Sequence, residues 1–514
     1  MTRSPSRSQP FSFGARHLLA VLIATAPLVA ACDGDLFNDT SWTYNVCPVD
    51  EGPSAASCVL DAAPGIFVRG EGDDDASGAR EAPVRTVGQA ITLAAANGGP
   101  QRVYICAQSF AESIKVPSGL RMFGGLDCAD GWRWQSKVAT EIAPPMGVPI
   151  TLLEGAGTTL LHDITARAAD ATEEGTSSIA LMAIRTAAEL ERCFLIAGKG
   201  ARGLDGALQA AGEAGEDGNS AGAPGDSCAA SGGQPIPGGD TTPLQCADGQ
   251  TSMGGAGGDS PVDSPGDPGQ AGTPGDAPGG QGEPTIPAGW TCESAGNGAN
   301  GANGVPGESG AGADSVGELT EAGFIGAAGA PGKTGQVGRC VGGGGASSGK
   351  VCGASAGGAG GGAGGTGGCG GAGSLGGGGG GSSIAVASVD AHLALRECAL
   401  RAAMGGPGGA GGDGMAGGDG GQGAPGGNAV GGAAAGCKGG DGGAGGPGGA
   451  GGGGRGGHSV GIAFVGPEVV WATTAISLVD ADDVALGGAA GAGSTNNGAQ
   501  GLNTPVLDLT PPGA

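Results

Sequence analysis

Three stretches of this chain, Ser178 to Ala197, Ser383 to Ala402 and Ser459 to Leu478, superimpose without a gap. Each opens on serine and a β-branched residue (Ile179, Ile384, Val460). Fourteen residues after the β-branched residue each places a small one (Cys193, Cys398, Thr474), with an apolar residue two positions further on. The stretches lie 205 and 76 residues apart. A register that survives such unequal spacing predicts neighbouring coils of one solenoid, with the intervening sequence extruded as insertions.

The same kind of patterning begins earlier. Gly65 to Val68 reads as a short strand, and Gly70 to Glu81 as a polar loop. Thr86 with Gln89 has the spacing of a capping box, and Val87, Ile91 and Ala94 or Ala95 then fall on one helical face until Asn97-Gly98-Gly99. Arg102 to Cys106 alternates as a strand. Leu160 to Ala166 and Leu190 to Ile196 stand 30 residues apart, a fitting length for one coil. Such runs suit parallel strands stacked coil upon coil, with the helix over the open N-terminal end.

These residues carry a resemblance. Asp75-Ala76-Ser77-Gly78, the segment Pro83 to Ile91, and Val103 to Gly125 with its Ile114-Lys115-Val116-Pro117 turn are similar to the N-terminal end of secreted pectin lyase-like proteins. The resemblance implies an all-β chain, a right-handed parallel β-helix with an N-terminal capping helix, and says little of activity. It covers about 65 to 200 and resumes at 383–402 and 459–486. The expected organisation is 1–31 signal peptide, 32–64 tether, 65–198 N-terminal coils with cap, and 199–381 first glycine-rich insertion. A coil at 382–402, a second insertion at 403–457 and a final coil and tail at 458–514 complete it.

Composition changes the picture of the insertions. Glycine and proline number 122 and 32 of 514 residues, and between Lys199 and Gly457 the aromatic residues are Trp290 and Phe324 alone. That stretch cannot bury a conventional core. Glycine recurs every third residue from Gly405 to Gly426, and in shorter runs such as Gly298 to Gly310 and Gly326 to Gly338. Sparse proline and broken phase argue against collagen. The Gly-Gly-x pattern resembles PGRS-type repeat proteins and glycine-rich antifreeze proteins, in which extended three-residue helices pack side by side. Disordered spacers are the rival expectation, because glycine loses the most backbone entropy on folding.

The first residues set the destination. Arg3, Arg7 and Arg16 precede an apolar run, Leu18 to Val29, too short to span a membrane comfortably. Val29-Ala30-Ala31-Cys32 resembles a bacterial lipobox, which implies lipidation of Cys32, a membrane anchor, and an exported lipoprotein of the outer membrane or cell surface. Cleavage after Ala31 with Cys32 in a disulfide is the plainer alternative. The chain's charge of −26 argues against nucleic acid as a partner. Fourteen cysteines in an exported chain point to disulfides. Cys193 with Cys398, level in the aligned repeats, Cys106 with Cys128, and Cys47 with Cys58 are the candidate pairs. Buried free thiols are the alternative for the first.

Candidate chemistry is thin. His162, His392 and His458 are isolated and expected to face solvent, no cysteine spacing fits zinc, and no phosphate loop ends on Lys-Ser/Thr. Asp413, Asp419 and Asp441 lack the apolar residue that calcium-binding nonapeptides place after the aspartate. No catalytic residue, metal or cofactor is therefore expected. Asp73, Asp74 and Asp75, and Asp480, Asp482 and Asp483, are the carboxylate groups a sugar-cleaving β-helix would draw on, and both read as loop residues. The expected function is a non-enzymatic structural or adhesive envelope component, with polysaccharide or other envelope components as partners. A polysaccharide lyase or hydrolase is the alternative.

Overall fold

A computed structural model of the chain describes residues 47–96, 98–206, 224–229, 232–275, 277–286 and 289–512. The signal segment and Cys32 lie outside the described residues. From Cys47 onward the chain is predominantly β, built on three parallel sheets and compatible with a parallel β-helix-like fold.

Sheet 1 runs Ile66–Val68, Arg102–Cys106, Arg121–Asp127, Thr158–His162, Ala187–Glu191, His392–Arg396 and Val470–Ala472, with Arg133–Trp134 added antiparallel to the third of these. Sheet 2 runs Ser109–Phe110, Thr140–Ile142, Ile164–Arg167, Phe194–Ile196, Ala399–Arg401 and Ala475–Ser477. Sheet 3 runs Ile114–Val116, Ile150–Leu152, Ser178–Ile184, Ser383–Val389, Ser459–Val465 and Asn503–Asp508. From Ser178 on, consecutive strands visit sheets 3, 1 and 2 in turn, and the glycine-rich segments leave and return between one such round and the next.

The aligned stretches pair residue for residue. Ile179 is level with Ile384 and Ile384 with Val460. Stacking in register turns each inward position into a column. Met122, Leu161, Leu190 and Leu395 form one, Phe110, Ile142, Ala166, Leu195 and Leu400 a second, and Ile114, Ile150, Leu181, Val386 and Ile462 a third. All belong to one buried cluster, and each large side chain removed from water there contributes about 1.5–3 kcal/mol. Sheet 3 is apolar on its outward face as well. Ile179, Met182, Ile384, Val460 and Ala463 form a second cluster with Leu319 and Phe324 of the hairpin Glu318–Thr320/Gly323–Ile325. Burial on both faces explains why these strands read as nearly continuous apolar runs.

Corners repeat too. Asp163, Arg192, Glu397 and Thr473 occupy equivalent turns, and all take left-handed backbone conformations (φ 58°, 52°, 51° and 48°). At a second corner Arg185 and Asp390 do the same, and Gly466 occupies that place in the last round at φ 89°, where a side chain would be strained.

The helix Val87–Ala95 buries Val87, Ala90, Ile91 and Ala94 against the first strands. Its orphan N–H groups are satisfied differently from the expected capping box. Thr86 Oγ1 accepts from Gln89 N, but the Gln89 side chain donates to Asp74 O, and Asp74 takes the Thr86 N–H. Glu112, from the strand region beyond, accepts from Val87 N and Gly88 N at 2.9 Å each.

The glycine-rich segments lie side by side as extended chains. Gly298, Gly301, Gly304, Gly307 and Gly310 donate in turn to Lys438, Asp441, Ala444, Pro447 and Ala450 carbonyls at 2.8–3.0 Å. Gly329, Gly332, Gly335 and Gly338 donate to Gly377, Ser374, Gly371 and Gly368 in the opposite sense. A Cβ on Gly301 would stand 2.0 Å from Arg339 O, and one on Gly443 2.0 Å from Ala302 O, so glycine alone permits this spacing. Asn297, Asn300 and Asn303 complete one seam, their side-chain oxygens accepting from Lys438, Asp441 and Ala444 N–H groups. Disulfides Cys228–Cys352, Cys246–Cys369 and Cys292–Cys437 tie segments 124, 123 and 145 residues apart.

Candidate functional site

The outward face of sheet 1 divides into a covered half and an open half. Phe67, Tyr104, Phe123 and His162 form one outward column across the early strands. Residues 47–63, the described end of the expected tether, lie over it. Arg102 donates to Val49 O at 2.6 Å, Arg192 to Ser54 Oγ at 2.7 Å, and the Tyr104 hydroxyl to Ala63 O at 3.0 Å. The Cys47–Cys58 disulfide closes this segment on itself.

On the open half a shallow groove of about 270 Å³ gathers Glu189, His392 and Glu468 beside Thr158 and Val470. Register puts them there. Ala187 is level with Thr158 and His392, while Glu189 is level with Ala394 and Ala394 with Val470. Two carboxylates and an imidazole from three successive rounds can exchange protons with a bound hydroxyl or hold a cationic group. Each residue is isolated in its own stretch, so only overlaying the three stretches reveals the grouping.

The acidic runs singled out from sequence do not join this groove. Asp73 and Asp74 accept backbone N–H bonds within the loop that precedes the helix, Asp73 from Asp75 and Asp74 from Arg85 and Thr86. Asp480, Asp482 and Asp483 sit at the short 3₁₀ turn Ala481–Asp483. Among the described residues no group of three or more His, Cys, Asp and Glu could hold a metal ion, and no described helix is long and apolar enough to cross a membrane.

Of the three histidines expected at the surface, His458 is buried and His162 is largely covered. His458 is clamped, its Nδ1 accepting from Leu502 N at 2.8 Å while Nε2 lies 2.7 Å from Val316 O, which fixes the neutral ring with its proton on Nε2. His162 packs edge-on against Phe123 with Nδ1 unpartnered, and burial, then the Arg192 guanidinium, pushes its pKa down to about 4. His392 remains exposed. The outward column at 162 follows an aromatic pattern that the covering segment, not the strand itself, makes interior.

Cys106 and Cys128 are joined in a disulfide. Cys193 and Cys398 are level, as the repeat predicts, but both are free thiols. Side chains at level positions of parallel strands project side by side about 4.8 Å apart, wider than the Cβ separation a disulfide favours. The sulfurs donate instead to backbone carbonyls, Cys193 to Leu161 and Cys398 to Arg396, and Cys398 Sγ accepts from Cys193 N at 3.4 Å. Cys340 is the third buried free thiol among the described residues, 2.8 Å from Ser252 Oγ.

A larger, mainly apolar cavity of about 550 Å³ lies where Ile179 of sheet 3, the Phe324 hairpin, Leu204 and Gly378 meet, with Glu174 at its edge. No family model matches this chain, and neither the curated proteins nor the solved structures contain a significant match to it.

Proposed function

We propose that this chain is a surface-anchored lipoprotein of the bacterial envelope, acting as a structural or adhesive component. In this reading a right-handed parallel β-helix of the pectin lyase-like kind, closed at its N-terminal end by the helix Val87–Ala95, displays the glycine-rich insertions. Those insertions are polyglycine II-like bundles, and lipid on Cys32 holds the molecule to the membrane. The observation that carries the reading is the bonded glycine lattice with its three long-range disulfides. Cross-links over 123–145 residues each remove about 4–5 kcal/mol of unfolded-chain entropy. That offsets part of the cost of ordering so much glycine, and the bonded lattice yields broad faces on which exposed residues repeat every three positions. Such faces suit extended contact with polysaccharide or other envelope polymers.

Limited proteolysis of the oxidised and reduced protein tests it. Survival of 232–381 and 403–457 only when oxidised supports a rigid display surface. Rapid cleavage of both in the oxidised protein, leaving a resistant strand stack, removes the basis for it. Loss of acyl labelling in Cys32→Ser checks the anchor.

The groove holding Glu189, His392 and Glu468 favours a second reading, a carbohydrate-active enzyme. It predicts release of reducing or unsaturated sugar from an acidic or neutral polysaccharide, abolished by Glu189→Gln with Glu468→Gln.

A further inference from the structure

The last strands of the three sheets, Val470–Ala472, Ala475–Ser477 and Asn503–Asp508, each leave one edge without a neighbour among the described residues. Their inward residues continue the interior columns, Trp471 on Leu395, Ile476 on Leu400 and Val506 on Ile462. Leu395 is 1% exposed, whereas Trp471 is 43% exposed, Val470 beside it is 67% exposed, and Ile476 and Val506 are only partly buried. The first strands, in contrast, carry the helix Val87–Ala95 and its four buried apolar side chains. An apolar column that ends on a partly exposed indole beside a free strand edge has the make-up of an interface centre.

Charge decides what fits there. From Gly456 onward the chain holds Glu468, Asp480, Asp482, Asp483 and Asp508 and no lysine or arginine. All five carboxylates are exposed, and none forms an ion pair among the described residues. A second copy presenting the same end would oppose these groups with its own, and like charges across a contact disfavour it. Pro505 lacks an N–H and weakens the edge of sheet 3 as a template, leaving Val470–Ala472 as the better one.

We propose that this end docks a cationic, strand-forming polypeptide. Its backbone adds to the edge at Val470–Ala472, its apolar side chains cover Trp471, Ile476 and Val506, and its lysines or arginines face the acidic rim. The inference stands apart from the envelope reading, since it uses none of the glycine lattice or the anchor.

The test titrates a short peptide of alternating lysine and valine onto the full chain by calorimetry, with a glutamate–valine peptide as control and amide exchange read at Val470–Ser477. The basic peptide should bind and slow exchange at Val470–Ala472. Raising salt from about 50 to about 500 mM should weaken binding about tenfold. Val470→Lys changes an exposed outward position, leaves the interior columns intact and should weaken binding at least about fivefold. Asp480→Asn, Asp482→Asn and Asp483→Asn together should do the same by removing rim charge. Equal binding of the acidic peptide, protection elsewhere, indifference to Val470→Lys, or no binding at millimolar peptide overturns the proposal. So does a concentration-dependent dimer abolished by Val470→Lys, which would make a second copy the occupant.

Discussion

In the strand stack a position such as Leu395 is held by what its side chain touches, whereas in the glycine lattice a position such as Gly443 is held by what its missing side chain permits. Leu395 sits in a column of apolar residues from successive rounds, and its strand is paired on both sides within one sheet. Gly443 donates to Arg339 O at 3.1 Å and accepts from Gly368 N at 3.0 Å, on different neighbouring chains. The first region gains from water leaving apolar surface; the second gains from backbone bonds and cross-links, with little apolar surface to bury. A small cluster of Leu244, Cys246, Val337 and Cys369 is an exception, and it surrounds one of the disulfides. Order therefore needs neither a fixed composition nor regular strands, provided that each backbone group finds a partner.

The sharpest way to break the comparison is Gly443→Val. Its Cβ would meet the Ala302 carbonyl at 2.0 Å, an obstacle made of backbone that no rotamer relieves, and a cost of about 5 kcal/mol is expected. Loss of hydrogen-exchange protection should centre on 298–310 and 438–452 and spare the strand stack. If thermal melting and exchange match the unsubstituted protein, the lattice is not packed this closely. Leu395→Ala should cost about 3 kcal/mol by leaving a cavity in its column, read as a shift in the denaturant midpoint. Protection in the lattice should be unchanged by it.

The pH response separates the regions further. The His162 pKa of about 4, against an ordinary 6.5, means that the unfolded chain takes up a proton the buried ring refuses. Stability is full above pH 6.5, falls as pH drops from 6.5 to 4, and by pH 4 the loss approaches about 3 kcal/mol. Denaturation curves of His162→Gln should lose part of that slope, the rest staying with His458, whose pKa burial also lowers, and a slope that persists unchanged in the variant would assign it elsewhere. The smallest effect belongs to Asn300→Ala. It removes one acceptor from the Asp441 N–H at an exposed seam, and about 1 kcal/mol is expected, visible as faster exchange of that amide alone.

The stacking of 178–197 on 383–402, and of 383–402 on 459–478, was legible because register leaves a mark on sequence: side chains that share a column must share size and polarity. Period-three glycine was equally legible, since any side chain at Gly301 or Gly443 would collide with a neighbouring carbonyl. The groove of Glu189, His392 and Glu468 was not, because its members come from different rounds and no single segment shows the group. His162 and His458 escaped for a related reason. What buries them is the segment 47–63 in one case, and Leu502 with Val316 in the other, contacts that no local pattern announces.

By itself the chain's sequence determined which positions stack, where glycine is obligatory and which cysteines lie level, for these follow from periodicity and from the space a side chain fills. Tertiary structure alone decided that Cys193 and Cys398 touch as free thiols without joining, each sulfur also turned to a carbonyl. It also decided that distant cysteines such as Cys292 and Cys437 meet, and that the last round leaves Trp471 half in water. Those outcomes depend on distances of a few ångströms between segments far apart in the chain, and the order of residues carries no record of such distances until the backbone bonds and packed columns set them.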